Sequence, residues 1–486
     1  MQSYAPPYFT DSDRIAKIRA ILPDIDSVYK EYAEKNHFPG YAYGIIVDGE
    51  LFHSGAGGFI DIKRKIPSTA KSMYRVASMT KSFTAMAILK LRDENQLTLD
   101  DPVHLYIPEI SKLQFVKDAP VITIRDLLIH SAGFPSDDPW ADRRLGDTEE
   151  EFLALLKQGL SFSNVTGITY EYSNLAYAML GYIIKKITGI PYQQFIDTLI
   201  GLNDIAWDFK KVTASQLVQG YKWIDNQWNE EDPRPDGVFG AMGGIIASVE
   251  SFGRYAALHQ HAWPPRDDNE LGPIKRSSIR EMHQPWKFRD LVVDKYPDGR
   301  ECIVTSASGY GLYWLRDSLG RVIVGHSGGL PGFGSNWCIM PEYGIGVVVF
   351  ANVTYAPASK INHDVLDKIV VAAQLKPRQL PSSNILKQRK EELVKLLPDW
   401  NNAEKSEIFA SNFFLDHSQQ TRRQESIQLF AKAGKIISVG EVFPENQLRG
   451  HFIIKGEKAN LHISFALTPE NPPLIQQYQI KEVLMD

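Results

Sequence analysis

The sequence contains only two cysteines, Cys302 and Cys338, in 486 residues. Two cysteines cannot form the disulfide framework that holds small secreted domains together, although a single bridge is possible in an exported protein. We expect both residues to be buried free thiols, so that the fold depends on its hydrophobic core.

An excess of basic residues is also absent. The 53 lysines and arginines are outnumbered by 58 aspartates and glutamates, which gives a formal net charge of −5 at pH 7. A chain of this charge has no general attraction for nucleic-acid phosphates or for an anionic membrane surface. We therefore expect a small-molecule or peptide substrate and no nucleic-acid partner.

The sequence has no apolar run long enough to span a bilayer. Its first residues, "MQSYAPPYFTDSDR", have neither the basic start nor the apolar stretch of a signal peptide. The sequence as written indicates a cytoplasmic protein. It would be a periplasmic or secreted protein if an export signal has been removed, so the compartment is left open.

The chain has enough apolar residues for a large core, since 43% of its residues are hydrophobic and 23% are charged. Strand patterns lie near both ends of residues 1–374, beginning with a hairpin around Asp48-Gly49, and helical patterns lie between them. The Pro- and Ser-rich residues 375–386 predict a linker. Residues 387–486 have the pattern of helices followed by a curved antiparallel sheet. These patterns predict an α/β (α+β) domain over residues 1–374 and a small C-terminal α+β domain.

The stretch "SMTK" begins a predicted helix at residues 78–95 and places the hydroxyl of Ser78 three residues before the amine of Lys81. This spacing puts both side chains on one helix face. A serine needs a neighbouring base to act as a nucleophile, and a lysine desolvated among apolar residues such as "FTAMAIL" can be that base. Because S-x-x-K also occurs in ordinary helices, the tetrad indicates catalysis only if other groups converge on it.

Two later motifs supply such groups. Tyr172-Ser173-Asn174 enters a helix, where the tyrosine could share a proton with Lys81 and the Asn174 amide could donate to a substrate carbonyl or to the lysine. Alternatively, Asn174 caps that helix and Tyr172 is a core residue. The third motif, His326-Ser327-Gly328, ends a predicted strand and resembles the K-T-G element of penicillin-binding proteins and serine β-lactamases.

In order and spacing, the three motifs resemble those of class C β-lactamase-related serine hydrolases, penicillin-binding esterases and D-amino-acid peptidases. The resemblance covers about residues 15–373 and includes the stretches "IRDLLIHSAGFP", "GAMGGIIASVESFGRYAALH" and "GYGLYW". It implies a β-lactamase/transpeptidase-like fold, in which an antiparallel sheet flanked by helices packs against a helical region. The site would lie between them.

The same resemblance implies the role of each site residue. Ser78 would be the acylated nucleophile, Lys81 its general base, and Tyr172 the proton donor to the leaving group. The oxyanion hole would be formed by the backbone N–H groups of Ser78 and Gly329. Such donors stabilise the negative charge that develops on the substrate carbonyl oxygen. The substrate-binding residues would be Asn174, His326, Gly328 and Gly329.

The resulting hypothesis is a serine hydrolase that acts through an acyl-enzyme on an ester or amide, as an esterase, a D-amino-acid peptidase or carboxypeptidase, or a weak β-lactamase. The alternative is a non-catalytic binding or scaffold protein of the same fold. A further alternative concerns Ser327, because Gly325-x-Ser327-x-Gly329 fits the G-x-S-x-G pattern of a nucleophile elbow. An elbow requires a helix after the serine, whereas the following "LPGFGSNW" predicts a turn and a strand.

Many β-lactamases have lysine where this sequence has His326. A histidine side chain with an ordinary pKa near about 6.5 is mostly neutral at pH 7. We therefore expect acylation by carboxylate-bearing substrates to strengthen below about pH 6.5, as the imidazole gains charge.

Neither a metal nor a cofactor is indicated. His130 and the pair His259 and His261 form no H-E-x-x-H motif or Cys/His cluster, and no Gly-rich nucleotide loop follows a strand. The C-terminal domain resembles cone-shaped folds of the nuclear-transport-factor-2 type. It could shape substrate access or form a homo-oligomer.

Overall fold

The computed structural model of this chain describes residues 4–113, 116–201, 204–270 and 272–483. It divides into two compact units, Asp11–Pro377 and a smaller unit of Arg378–Asp486 together with Met1–Thr10. This division differs from the predicted boundary at residue 374. The reason is a long-range pairing, in which the backbone of Tyr8 exchanges hydrogen bonds of 3.1 and 2.8 Å with that of Gln379.

The strands of the larger unit are β1 (Gly40–Val47), β2 (Glu50–Asp61), β3 (Ile66–Pro67), β4 (Tyr74–Arg75), β5 (Ile205–Ala206), β6 (Gly220–Ile224), β7 (Gln227–Glu231), β8 (Ile246–Ala247), β9 (Lys287–Lys295), β10 (Glu301–Ser308), β11 (Tyr313–Arg316), β12 (Val322–Leu330), β13 (Phe333–Met340) and β14 (Ile345–Ala351). Nine of them form one antiparallel sheet in the order β3-β2-β1-β14-β13-β12-β11-β10-β9. The first strand of the unit therefore pairs with the last, from Tyr41↔Ala351 to Val47↔Ile345. The expectation that both ends of this region contribute to one sheet is confirmed.

The helices of the larger unit are α1 (Arg14–Ala20), α2 (Leu22–Lys35), α3 (Thr80–Asp93), α4 (Ile124–Leu128), α5 (Asp138–Ala141), α6 (Glu149–Gln158), α7 (Asn174–Thr188), α8 (Tyr192–Ile200), α9 (Gly240–Gly243), α10 (Val249–His261), α11 (Arg276–Met282) and α12 (Ala358–Ala372). Short 3-10 turns occur at Ala77–Met79, Val103–Leu105, Pro108–Ile110, Asp142–Arg144, Phe209–Lys211 and Pro341–Tyr343. The sequence predicts a single N-terminal helix over residues 13–36. The structure breaks it at Ile21, because Pro23 lies in the first turn of α2 and favours a new helix start there.

The central strands of the sheet are buried on both faces, which explains apolar runs such as "GVVVFA". Side chains alternate between two cores, because successive residues of a strand point to opposite faces. Val348 and Phe350 face a core that includes residues of α3, α7 and α10. Val347 and Val349 face a core that includes residues of α2 and α12.

Helix α3 is apolar around most of its circumference, and every residue from Thr80 to Leu89 is buried. A helix of this kind belongs inside a core rather than on a surface. Its Phe83 ring stacks on Tyr255 of α10 with the ring centroids 3.6 Å apart. This packing fixes the helix that follows Ser78.

The smaller unit contains α13 (Asn384–Val394), α14 (Phe413–Asp416), α15 (Gln419–Ala433), a 3-10 turn at Ala403–Lys405, and the strands β15 (Ile436–Val439), β16 (Phe443–Asn446), β17 (Arg449–Gly456), β18 (Asn460–Leu467) and β19 (Ile475–Val483). Its antiparallel sheet has the order β15-β17-β18-β19, and β16 pairs with β17. Helix α15 is followed by Gly434 at its C-terminal cap, where the φ of 75° suits glycine. Helix α13 begins inside the predicted linker because the Ser383 side chain caps its first turn.

Cys302 and Cys338 are both free and buried, which confirms that expectation. Of the helices in the described residues, none combines the length and the apolar character needed to cross a membrane.

Replacing Phe83 with alanine should destabilise the larger unit, because the change removes a fully buried ring from the stack with Tyr255. Such core substitutions cost about 3–5 kcal/mol. Urea unfolding followed by circular dichroism measures the free energy of unfolding. Leu105→Ala is the control, since Leu105 is 61% exposed, and surface changes stay within about 0.5 kcal/mol. Equal losses of unfolding free energy in Phe83→Ala and Leu105→Ala would contradict the assignment of Phe83 to the core.

Candidate active site

Ser78 lies in the 3-10 turn Ala77–Met79, directly before α3. The preceding Ala77 has a φ of 52°, a left-handed conformation that residues with a side chain rarely adopt. The turn leaves Ser78 7% exposed and brings its Oγ to 3.0 Å from Nζ of Lys81. The predicted pairing of Ser78 and Lys81 is therefore present in the structure.

The amine of Lys81 is fully buried and has two further partners. Nζ lies 2.6 Å from Oδ1 of Asn174 and 2.9 Å from the carbonyl oxygen of Met242. A neutral amine has two N–H donors and one lone pair. In that state the donors serve Asn174 and Met242, and the lone pair accepts the hydroxyl proton of Ser78.

Burial lowers the pKa of Lys81 to about 8, because an ammonium ion loses hydration inside the protein. The carboxylates of Asp138, Asp137 and Asp142 act in the opposite direction and limit the decrease. Lys81 is consequently able to exist as a neutral amine close to physiological pH. That is the property required of a general base.

Tyr172 lies beside the same two residues. Its hydroxyl faces Ser78 in the cleft that both side chains line, and its ring centroid lies 4.9 Å from Nζ of Lys81. Burial raises the pKa of Tyr172 well above its ordinary value, with a further contribution from Asp138. The phenol therefore keeps its proton and is available as a donor.

His130 supports Tyr172 from behind. The ring centroids of His130 and Tyr172 lie 4.6 Å apart. Nδ1 of His130 accepts a hydrogen bond of 3.1 Å from the backbone N–H of Ser173. Burial lowers the pKa of His130 well below its ordinary value, and the Lys81 charge adds to this effect. His130 is thus a satisfied neutral histidine that orients the second motif.

Asn174 does not serve as the cap of α7. Ser173 is the cap, since its Oγ accepts the N–H of Ala176, and Asp137 accepts the N–H groups of Asn174 and Leu175. The Asn174 side chain instead bridges two charged groups: Oδ1 contacts Lys81, and Nδ2 donates to Oδ1 of Asp138 at 2.8 Å. The Asn174 amide N–H therefore donates to the Asp138 carboxylate. The sequence hypothesis had it donate to a substrate carbonyl or to Lys81.

The third motif lies in β12, beside the Ser78 turn. A Cβ atom on Gly328 would come within 2.2 Å of the Val76 carbonyl oxygen and 2.4 Å of Ser335 Oγ. A Cβ atom on Gly329 would come within 2.7 Å of the Tyr355 ring. Glycine at position 328 therefore lets β12 approach the Ser78 turn this closely, and glycine at position 329 leaves room for the Tyr355 ring.

His326 is buried, and this corrects its expected titration near pH 6.5. Desolvation lowers the pKa of His326 to about 3, and the nearby Lys81 charge acts in the same direction. Its Nδ1 contacts the Ser327 carbonyl oxygen at 2.5 Å. His326 therefore stays neutral below the ordinary histidine pKa of about 6.5 as well, where the sequence predicts that it gains charge. Its ring centroid lies 6.3 Å from that of Tyr172.

Ser327 lacks the surroundings of a nucleophile elbow. Strand β12 continues through it to Leu330, and β13 begins at Phe333. Its Oγ accepts a hydrogen bond from Ser359 at 3.0 Å. A strand therefore follows this serine where an elbow needs a helix, as the sequence predicts.

The three motifs line one cleft of about 390 Å3. Its walls are formed by Ser78, His130, Asp138, Tyr170, Tyr172, Arg289, Ser308, Leu312, Tyr313, His326, Ser327, Gly328, Gly329, Tyr355 and Ala356. Among the residues that the structure describes, no group of three or more His, Cys, Asp and Glu side chains could hold a metal ion.

The family model that matches this chain is that of the beta-lactamases, over residues 25–372. The chain belongs to the beta-lactamase family. Among curated relatives, Protein flp of Staphylococcus aureus is 27% identical over 342 residues, which cover 68% of this chain and 64% of that protein. Unguisins hydrolase ungD' of Aspergillus campestris is 26% identical over 354 residues, which cover 68% and 62%. The chain thus matches less than two thirds of the length of these relatives.

Solved structures show the same fold. The octameric penicillin-binding protein homologue from Pyrococcus abyssi aligns with a TM-score of 0.60 and 22% identity, over 94% of this chain and 99% of that one. A D-stereospecific amidohydrolase from Streptomyces sp. aligns with a TM-score of 0.54 and 22% identity, over 70% and 98%. The predicted β-lactamase/transpeptidase-like fold is confirmed.

Sequence reasoning missed two charged residues of the cleft, Asp138 and Arg289. Asp138 belongs to the four-residue helix α5, which is too short to show a periodic pattern. Arg289 lies on β9, within "KFRDLVVDKYPDGRECIVTSAS", where two apolar runs flank the turn signal Pro-Asp-Gly. Those runs could have predicted the β9–β10 hairpin, which places Arg289 in the sheet that carries His326.

Gly328→Ala should impair the site, because its new Cβ would push β12 away from the Ser78 turn. A misplacement of 1 Å can reduce the rate about 100-fold. The rate of labelling of the active serine by a fluorophosphonate probe measures the effect. Gly272→Ala is the matched control, since its Cβ would make only ordinary contacts at 3.4 Å. Wild-type labelling of Gly328→Ala would show that the close approach is unimportant.

Proposed function

We propose that this protein is a serine hydrolase that acts through an acyl-enzyme on an ester or amide of a small molecule or peptide. The observation that carries the proposal is the convergence of Lys81 and Tyr172 on the hydroxyl of Ser78. Membership of the beta-lactamase family supports it. Two related proteins are named as a hydrolase and an amidohydrolase, which agrees with this class of reaction.

In the acylation step, Oγ of Ser78 forms a bond to the substrate carbonyl carbon while neutral Lys81 accepts the hydroxyl proton. The carbonyl oxygen gains negative charge, which the backbone N–H groups of Ser78 and Gly329 stabilise. As the tetrahedral intermediate collapses, the bond to the leaving group breaks. Tyr172 protonates the leaving group and takes a proton from the Lys81 ammonium in return.

Deacylation repeats these steps with water as the nucleophile. Water loses a proton to the same Lys81 and Tyr172 pair, its oxygen bonds to the acyl carbon, and the bond to Ser78 Oγ breaks. The serine oxygen recovers its proton, and the carboxylic acid product leaves. The sequence of steps balances without a metal or cofactor.

Asn174 would be a positioning residue in this scheme. Its contacts to Lys81 and Asp138 hold the amine toward Ser78. The non-catalytic alternative does not explain this arrangement. Burying the Lys81 amine costs free energy, and a protein that only binds or acts as a scaffold has no use for a buried amine.

We also propose that the chain forms a homo-oligomer through its smaller unit. The Pyrococcus abyssi homologue is octameric, and its alignment covers enough of this chain to include part of that unit.

A fluorophosphonate probe should label Ser78, and Ser78→Ala should abolish the adduct, because Ser78 is the only serine hydrogen-bonded to the Lys81 amine among the described residues. Peptide mass mapping locates the adduct. Ser327→Ala is the matched control from the same cleft and should still be labelled. An adduct on Ser327 would overturn the proposed mechanism.

The rate of labelling should rise with pH through an inflection near pH 8 and level off at higher pH, because deprotonation of Lys81 at its pKa of about 8 creates the base. Second-order rate constants between pH 5 and 10 measure the profile. His326→Gln should keep the same inflection, since His326 is already neutral in this range. An inflection near the ordinary histidine pKa of about 6.5 that disappears in His326→Gln would contradict the assignment.

A further inference from the structure

The charged groups that line the cleft are few. Among its described lining residues, Asp138 is the only carboxylate and Arg289 the only guanidinium. The histidines His130 and His326 add no charge, because burial keeps both neutral. Recognition of a charged substrate at this surface therefore falls to Asp138 and Arg289.

The two charges have different neighbours. Oδ1 of Asp138 accepts a hydrogen bond of 2.8 Å from the Asn174 amide, and Oδ1 of Asn174 lies 2.6 Å from Nζ of Lys81. The guanidinium of Arg289 lies 4.5 Å from the ring centroid of Tyr170. Asp138 is therefore the charged lining residue that is hydrogen-bonded to the support of the catalytic amine.

Asp138 differs from the two acidic residues near it. Asp137 is occupied by backbone N–H groups of α7, and Asp142 by the hydroxyl of Tyr355 at 2.7 Å. Asp138 accepts only the Asn174 amide, at Oδ1, among the described residues. Asp138 is exposed and lines the cleft, and its Oδ2 has no hydrogen-bond partner among the described residues.

We propose that Asp138 recognises an ammonium group on the acyl portion of the substrate. A carboxylate accepts hydrogen bonds and cannot donate them, and it pairs most strongly with a cationic donor. Asp138 lines the same cleft as Ser78 and is linked to it through Asn174 and Lys81, so a substrate ammonium bound there would lie near the carbonyl carbon that bonds to Ser78. Binding energy at that place acts on acylation and deacylation alike.

The inference rests on the proposed hydrolase function, and it narrows the substrates to aminoacyl or otherwise amine-bearing esters and amides. The amine could be the α-amino group of an amino acid or an amine on its side chain. Both present the same ammonium chemistry to Asp138. Separate substrates distinguish the two sources.

The experiment compares kcat/KM for the p-nitroanilides of D- and L-alanine, of their N-acetyl derivatives, and of Nα-acetyl-lysine. Wild type should favour at least one amine-bearing substrate over N-acetyl-alanine p-nitroanilide by about 10- to 100-fold, the range of a hydrogen bond to a charged group. A preference for free alanine identifies an α-amino group, and one for Nα-acetyl-lysine identifies a side-chain amine.

Asp138→Asn should abolish this preference, so that the ratio of kcat/KM for the amine-bearing substrate to that for the N-acetyl-alanine substrate falls to about 1. The ratio is the readout, because the Asp138 charge also raises the pKa of Lys81 and its loss changes the rate on every substrate. The asparagine keeps a carbonyl acceptor for Asn174, so the variant removes the charge and retains the hydrogen bond. Arg289→Gln is the matched control, because it neutralises the other charged residue of the cleft and should keep the preference.

Two results would overturn the inference. One is a wild-type enzyme that hydrolyses the substrates with no preference for an amine. The other is an equal loss on all substrates in Asp138→Asn, which would make Asp138 a positioning residue acting through Asn174. Failure of the hydrolase proposal itself would look different, with no turnover of any substrate and no fluorophosphonate adduct on Ser78.

Discussion

The site depends on the burial of one amine. Lys81 is enclosed by the helices around α3, and removal from water is the largest effect on its pKa. An unpaired ammonium in such a place would be strongly destabilising. The structure limits that cost with the Asn174 amide, the Met242 carbonyl and nearby carboxylates. The same contacts hold the amine in line with Ser78, so stabilisation and catalytic geometry share one set of interactions.

The sheet determines what can approach this amine from the other side. Strand β12 lies inside the sheet, between β11 and β13, and its Gly328 faces the turn that carries Ser78. Ser335 of the adjacent strand donates a hydrogen bond to the Val76 carbonyl at 2.8 Å, which ties the sheet to that turn. The nucleophile is thus held between a core helix and a core strand. Neither can shift without disturbing the packing of the larger unit.

Local sequence patterns predicted the parts of the site that local geometry determines. The spacing of Ser78 and Lys81 follows from helix periodicity, and the strand after Ser327 follows from the turn residues Pro331 and Gly332. The pairing of Tyr8 with Gln379 could not be predicted in this way, because it joins residues far apart in the chain. The neutral state of His326 could not be predicted from local sequence either, because it results from burial by segments far from it in the chain.

The neutrality of His326 changes how the cleft can distinguish substrates. A lysine at that position would place a permanent cation beside Ser327 and the glycines that follow it. In this chain the cation is Arg289, which β9 supplies and which lies over the ring of Tyr170. The opposite charge, Asp138, is hydrogen-bonded to the residue that holds the catalytic amine. The family fold therefore keeps its nucleophile and base in place, while short segments around them redistribute the charges that a substrate meets.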